Sequence, residues 1–338
     1  MRSLQLTLLL SLLSVSLPVS GNDLLQTANN ILLYQRNTGG WPKNYDRDAK
    51  LSTTQRAQLK LDKANIDSTI DNGATHREIR ILAKAYRQLG NQPFRDAAIA
   101  GVKYLLRAQY DNGGWPQYYP RPSSYHQHIT YNDDAMIGVM NLFHDIVQSS
   151  GDLEFMSDDI RRQCEQALQR GLQCILKTQI RINGKLTAWC AQHDAITLAP
   201  AKARSYELPS ISGNESVNIV RYLIKIEDPD NNVVAAIESA IDWFENTQLK
   251  GQRQIKVEDP AAPTGRDIKV ISDPSAPPLW ARFYDLQTQQ PIFCSRDGIP
   301  KKTIAEISHE RRNGYSWLGT YAAELLQKHY PQWKKNRG

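Results

Sequence analysis

Gln35-Arg36-Asn37-Thr38-Gly39-Gly40-Trp41-Pro42 and Gln109-Tyr110-Asp111-Asn112-Gly113-Gly114-Trp115-Pro116 are two copies of one signal. Each closes an apolar helical run, Leu32-Leu33-Tyr34 in the first copy and Leu105-Leu106-Arg107-Ala108 in the second. A decayed third copy is Ile175-Leu176-Lys177-Thr178-Gln179, followed by Asn183-Gly184 and Trp189. A faint fourth is Trp243-Phe244-Glu245-Asn246-Thr247-Gln248, then Gly251. The four glutamines are 74, 70 and 69 residues apart. A period near seventy with two helices per unit reads as an array of helical hairpins, each burying its apolar face on its neighbours.

Helical spacing of apolar residues places the other elements. Residues 71 to 89 read as a helix stopped by Gly90-Asn91, and Pro93 opens the next. Helices are predicted over 133 to 147, 157 to 178, 215 to 226, 233 to 247 and, last, 317 to 329. Between Gln248 and Ser316 the pattern breaks into Pro, Gly and β-branched residues. Long loops with a few short strands are expected there, and loops of this length are usually functional. The class is mainly α.

Residues 1 to 21 read as a leader removed from the folded chain. Arg2 is the positive start, Leu4 to Leu17 holds only apolar residues with Ser, Thr and Gln, and Val19-Ser20-Gly21 suits cleavage before Asn22. The apolar run is too short for a membrane span, and no later stretch is long and apolar enough for one. The expectation is an exported protein, secreted or periplasmic, with one domain over residues 22 to 338. It is expected to be a monomer with no membrane partner. The formal net charge is +6, which favours an anionic partner. Lys and Arg are scattered rather than clustered, so an acidic polysaccharide suits the chain better than nucleic acid. Cys164 and Cys174 fall on one predicted helix, roughly 15 Å apart by the helical rise, too far to bridge each other. With Cys190 and Cys294 they make neither a disulfide framework nor a zinc spacing, and they read as structural.

Each hairpin starts its second helix with acidic or amide residues: Asp71-Asn72, Asn132-Asp133-Asp134 and Asn214-Glu215. Such residues cap free N–H groups at a helix start. Brought together on one rim they would instead form a hard oxygen site suited to calcium. Both readings stand. A second cluster, Gln192-His193-Asp194 followed by 203 to 213, is dense in His, Asp, Arg, Tyr and Glu. It reads as a catalytic loop or an ordinary polar one, with His193 alone more suited to a structural hydrogen bond than to a base. In a third, Trp280-Ala281-Arg282-Phe283-Tyr284 and Ser295-Arg296-Asp297-Gly298 set arginines beside aromatics. That pairing suits carboxylate binding or plain packing.

Together these segments resemble the family 10 polysaccharide lyases, calcium-dependent pectate lyases with an (α/α) toroid. The matching pieces are Gly-Gly-Trp-Pro-Lys at 39–43, Thr-Ile-Asp-Asn-Gly-Ala-Thr at 69–75 and Asn-Gly-Gly-Trp-Pro-Gln at 112–117. Tyr-Asn-Asp-Asp-Ala-Met at 131–136, the loop from Arg204 to Glu215, Leu-Trp-Ala-Arg-Phe-Tyr at 279–284 and Ser-Arg-Asp-Gly at 295–298 complete the set. The resemblance implies β-elimination of 1,4-linked polygalacturonate to 4,5-unsaturated oligogalacturonides. It implies calcium on Asp71 and Asp133, Arg204 as the Brønsted base, and Asn72, Arg282 and Arg296 as substrate-binding residues. Two rival readings are a non-catalytic pectin-binding protein and, from the Gln-Gly-Gly-Trp repeat, a helical toroid like the terpenoid cyclases.

Overall fold

The computed structural model describes residues 21 to 337; the leader read over residues 1 to 21 lies, but for Gly21, outside them. The first helices are α1 (Gly21–Tyr34), α2 (Thr53–Leu61), α3 (His76–Leu89) and α4 (Gln92–Ala108). They are followed by α5 (Ala135–Val147), α6 (Asp158–Thr178), α7 (Glu215–Leu223) and α8 (Asn231–Asn246). Helices α3 and α4, α5 and α6, and α7 and α8 pack as consecutive pairs. One row runs α1–α3–α5–α7 and a second runs α4–α6–α8, so the hairpins curve side by side into an (α/α) toroid. Helix α5 presses Met136, Val139, Met140, Phe143 and Ile146 into the common core. Among the described residues no helix is long and apolar enough to cross a membrane.

The repeated motif is the joint between hairpins. Gln35 Nε2 donates to Gly39 O and to Ala97 O of α4, both at 2.9 Å. Gln109 Nε2 repeats this on Gly113 O at 3.0 Å and Ala167 O of α6 at 2.8 Å. Gln179 Nε2 does so on Thr187 O at 2.8 Å and Ala236 O of α8 at 2.9 Å. The glycines are needed for close approach: a Cβ on Gly39 (φ 97°) would meet Ala100 O at 2.6 Å, and one on Gly113 (φ 92°) would meet Arg170 O at 2.0 Å. The tryptophans then fill the gap between helices. Trp41 and Trp115 are fully buried, and each Nε1 donates at 2.8 Å to a carbonyl ten residues back, on Ile31 or Leu105. Trp189 and Trp280 make the equivalent bond over longer separations, to Ile175 O at 2.8 Å, 14 residues back, and to Phe244 O at 2.9 Å, 36 residues back. Trp280 is therefore the fourth member of the series, displaced from its glutamine by a long insertion.

That insertion carries the longest strands, Gln252–Glu258 and Arg266–Ser272, paired as an antiparallel hairpin. The other sheets are two-residue pairings such as Ile129–Thr130 with Gln192–His193 and Ile211–Ser212 with Phe283–Tyr284. The structure differs from the sequence expectation in three places. Helix α2 was not anticipated: it buries only Leu59 and so shows no apolar stripe, and it is held instead by a capping box between Ser52 and Gln55. No helix spans 317 to 329. Leu318–Gly319 is a strand on Trp280–Ala281, and the last helical stretch runs through Leu325–His329 into α10 (Tyr330–Lys335), after α9 (His309–Gly314). Finally, α3 and α5 begin at His76 and Ala135 rather than at residues 71 and 133. The four cysteines are buried and unpaired, a state their spacing left open except for excluding a Cys164–Cys174 bridge.

Candidate active site

The late helix starts create the site. Asp71–Gly73 and Asn132–Asp134 are single tight turns in which Asn72, Asp133 and Asp134 take φ of 52°, 51° and 59°. Side chains other than Gly, Asn and Asp are costly in this left-handed region. The two turns pack on each other, and the second packs on the start of α7. The helix-capping reading fails here, because the side chains of Asp133 and Asp134 make no cap bond. Asp134 instead accepts from Asn218 Nδ2 at 2.6 Å. Asp71, 3% exposed, is paired with the Lys43 ammonium.

Glu215, 2% exposed, turns from its helix to Arg282, whose Nη2 lies 2.6 Å from Glu215 Oε1, 3.2 Å from Asn132 Oδ1 and 3.6 Å from Asp133 Oδ1. Asn72, Arg77, Asp133, Asp134, Asn214 and Glu215 line a cleft of 360 Å³. Burial lifts the Asp133 carboxyl above its usual range; Arg282 opposes this, and the charges of Glu215 and Asp71 add to it. The carboxylates are thus crowded, which is the electrostatic state that a cation relieves. Among the described residues no three His, Cys, Asp or Glu side chains form a ready metal centre. Asp133, with Asn72 and Asn214 in the same cleft, and Asp71 on the adjoining turn, where it is paired with Lys43, nevertheless carry oxygen donors of the kind calcium takes. Water and a ligand carboxylate commonly complete such a shell.

From Asp133 a chain of arginines and aromatic rings runs outward through Arg282. The Arg282 guanidinium lies 4.8 Å from the Tyr315 ring centre, and that of Arg204 lies 5.6 Å from the same ring and 5.2 Å from Tyr206. Arg296 and Arg311 approach Tyr206 at 5.7 and 4.5 Å and share the Glu310 carboxylate. Asp133, Arg282, Arg204 and Arg296 therefore fall along one line of contacts, and Asn72 lines the same cleft as Asp133. Arg282 Nε is buried without a partner, an unmet guanidinium donor. Arg204 is not free: Nε bonds Glu207 Oε2 at 2.7 Å and Nη2 also reaches the same carboxylate. Burial disfavours its charge, yet the Glu207 hydrogen bonds and charge outweigh that and hold the guanidinium above its ordinary pKa.

His193 is structural. It is fully buried, its Nε2 accepts from Cys190 N at 3.1 Å and its Nδ1 pairs with Leu198 O at 2.9 Å. Tyr284 occupies the equivalent place in a second internal repeat, Trp189-Cys190-Ala191-Gln192-His193-Asp194-Ala195-Ile196-Thr197 against Trp280-Ala281-Arg282-Phe283-Tyr284-Asp285-Leu286-Gln287-Thr288. Its hydroxyl accepts from Ala281 N at 2.9 Å, and Asp194 and Asp285 fold back on Thr197 and Thr288 alike. Tyr315 and Arg311 went unnoticed in the sequence, although the run Arg311-Arg312-Asn313-Gly314-Tyr315-Ser316-Trp317 repeats the arginine-beside-aromatic signal.

Residues 35–326 match the family model described as pectic acid lyase. No curated protein matches the chain. A solved family 10 polysaccharide lyase from Cellvibrio cellulosa superimposes with a TM-score of 0.79 at 34% identity, covering 90% of this chain and 90% of its own. A mutant of such a lyase from Cellvibrio cellulosa, solved in complex with trigalacturonic acid, matches equally, with 91% of its own chain covered. These matches set aside the terpenoid-cyclase and non-catalytic readings. The line of Asp133, Arg282, Arg204 and Arg296 across a helical toroid, together with a match over nearly the whole fold, leads to one conclusion: the chain belongs to the pectic acid lyase family and is a family 10 pectate lyase.

Proposed function

We propose that this lyase cleaves 1,4-linked polygalacturonate by β-elimination, with Arg204 as base and calcium on Asp71 and Asp133. The observation that carries the reading is the unmet Nε of buried Arg282, set between Asp133 and the Tyr315 ring that also supports Arg204. A uronate carboxylate placed on Arg282 lies against the acidic rim on one side and Arg204 on the other. Arg296, exposed beyond Tyr206 and paired with Glu310, would exchange that partner for the carboxylate of another sugar, and Asn72, in the lining of the cleft, would donate to the substrate.

Neutral Arg204 takes the C5 proton. The C5–H electron pair becomes the C4–C5 double bond, and the C4–O pair leaves on the glycosidic oxygen, which takes a proton from water. When bound, calcium supplies positive charge that offsets the charge growing on the uronate carboxylate. The need for neutral guanidine, a scarce form, asks for an alkaline medium. The leader over residues 1 to 21 supports export, where such a polymer is met, and we read the enzyme as a monomer there.

Incubation with polygalacturonate tests this reading. Unsaturated, ultraviolet-absorbing oligogalacturonides should accumulate, stop after exhaustive chelation and resume when calcium is returned. Product that continues to form without calcium would remove the metal from the reading.

A further inference from the structure

Glu207 is a buried, heavily committed carboxylate beside Arg204 that the proposed reaction leaves without a role. It is 4% exposed, yet its two oxygens receive four donors. Arg204 provides Nε at 2.7 Å, its backbone N–H at 3.1 Å and Nη2, and the Tyr315 hydroxyl adds a bond of 2.6 Å. Glu207 N–H in turn bonds Arg204 O at 2.9 Å, so the two residues close a short backbone loop. A bidentate carboxylate fixes the plane as well as the place of a guanidinium. The same Tyr315 ring lies beneath both Arg204 and Arg282, so one carboxylate orients the base relative to the uronate clamp.

We infer that Glu207, braced by Tyr315, is the positioning residue for Arg204, and that its charge sets how alkaline the medium must be for turnover. This rests on Arg204 being the base. Glu207 touches no substrate atom in this account. The fixed geometry keeps the guanidinium aimed across the cleft, while the anion beside it favours the charged, unreactive form. The other groups facing Arg204 are the Tyr206 and Tyr315 rings beside it and Tyr125, whose own titration senses the charges of Arg204 and Glu207. Arg296 and Arg311 stand across Tyr206 and are themselves neutralised by Glu310. Glu207 is therefore the negative charge in direct contact with Arg204, so replacing it has a defined sign.

The experiment compares pH–rate profiles on polygalacturonate for the wild type, Glu207→Gln, Tyr315→Phe and Arg204→Ala, with circular dichroism confirming that each is folded. Glu207→Gln should reach its alkaline plateau at a pH lower by about one unit or more, the scale of a contact ion pair. Its plateau rate should fall, because the bidentate hold is lost. Tyr315→Phe keeps the carboxylate charge and should leave the limb in place or move it to higher pH. Were Glu207→Gln unfolded, a downward shift in Tyr315→Phe alone would still overturn the inference. Profiles of Glu207→Gln and wild type that coincide overturn it while leaving the base reading intact, provided Arg204→Ala is inactive. An active Arg204→Ala overturns the base reading and this inference with it.

Discussion

Arg282 and Glu215 form a buried ion pair, Nη2 to Oε1 at 2.6 Å, with side chains only 10% and 1% exposed. The pair ties the bend at Arg282, between the short strands Trp280–Ala281 and Phe283–Tyr284, to the first residue of α7. The buried Nε of Arg282 is left without a partner, so the residue is a structural brace that still carries an unmet donor.

Arg282→Ala should therefore damage the fold as well as binding. Leaving Glu215 buried without its partner should cost on the order of 3 kcal/mol. Denaturant unfolding should show this at pH 7, alongside weakened productive binding of polygalacturonate. An unchanged midpoint would mean that Glu215 finds another partner, and unchanged rates at low substrate would mean that Arg282 only packs.

Arg204→Ala should lower turnover by the roughly 10²–10⁴-fold typical of a lost general base, while substrate still binds. Arg204→Lys should rescue weakly, because an ammonium cannot make the planar double contact with Glu207. Near-normal turnover by Arg204→Ala excludes the mechanism.

Asp133→Asn should weaken calcium binding by at least about tenfold, read by titration calorimetry on the folded protein. Asn tolerates the φ of 51° found at this position, so the substitution tests charge rather than backbone strain. Unchanged calcium affinity would place the ion elsewhere.

Gln109→Ala removes three hydrogen bonds at once, leaving the carbonyls of Gly113 and Ala167 without that donor and Arg170 Nη2 without its acceptor. Unsatisfied groups of this kind cost about 1–3 kcal/mol each when buried. The melting temperature should fall while the activity of the surviving folded protein stays close to wild type. A stability matching wild type would show that water replaces the amide.

Acid should weaken the fold through its buried histidines. Burial pushes His193 down from 6.5 to about 4 and His76, with Arg77, Arg80 and Arg47 adding to burial, to about 3. Between pH 6.5 and 4 the unfolded chain binds a proton at residue 193 that the folded chain refuses, so stability falls as pH falls through that window. For His193 the loss is roughly 3 kcal/mol, complete near its folded value. His193→Gln should flatten that part of the curve of melting temperature against pH, whatever it does to the plateau above neutrality. A slope unaltered by the substitution would rule His193 out as its source.

The hairpin array was legible because its joints are sequence motifs: a glutamine, two glycines at a close approach and a tryptophan at fixed spacing. Asp71, Asp133 and Arg282 were legible as clusters; the structure packs the turns of Asp71 and Asp133 on each other and sets Arg282 3.6 Å from Asp133. The local conformation at Asp71 and Asp133 was not, since Asp and Asn suit both a helix cap and a left-handed turn. Only the tertiary packing of one turn on the other decides between them. Helix α2 escaped notice for the opposite reason: its cap is strong, but it buries too little to leave a periodic trace. Tyr315 and Glu207 matter through contacts more than one hundred residues apart in the chain, which no local pattern reports.

The glutamine joints constrain one partner only. Each amide is received by carbonyls of the main chain, at Ala97, Ala167 and Ala236, groups that every amino acid carries. Apart from Arg170 of α6, which also donates to Gln109 Oε1 at 2.6 Å, the receiving helices can change their side chains over evolutionary time without loosening the seam. Mutational drift can then accumulate in one hairpin independently of the next. The third copy illustrates the result: it has shed its Gly-Gly and its Pro, yet Gln179 still spans the same two backbones.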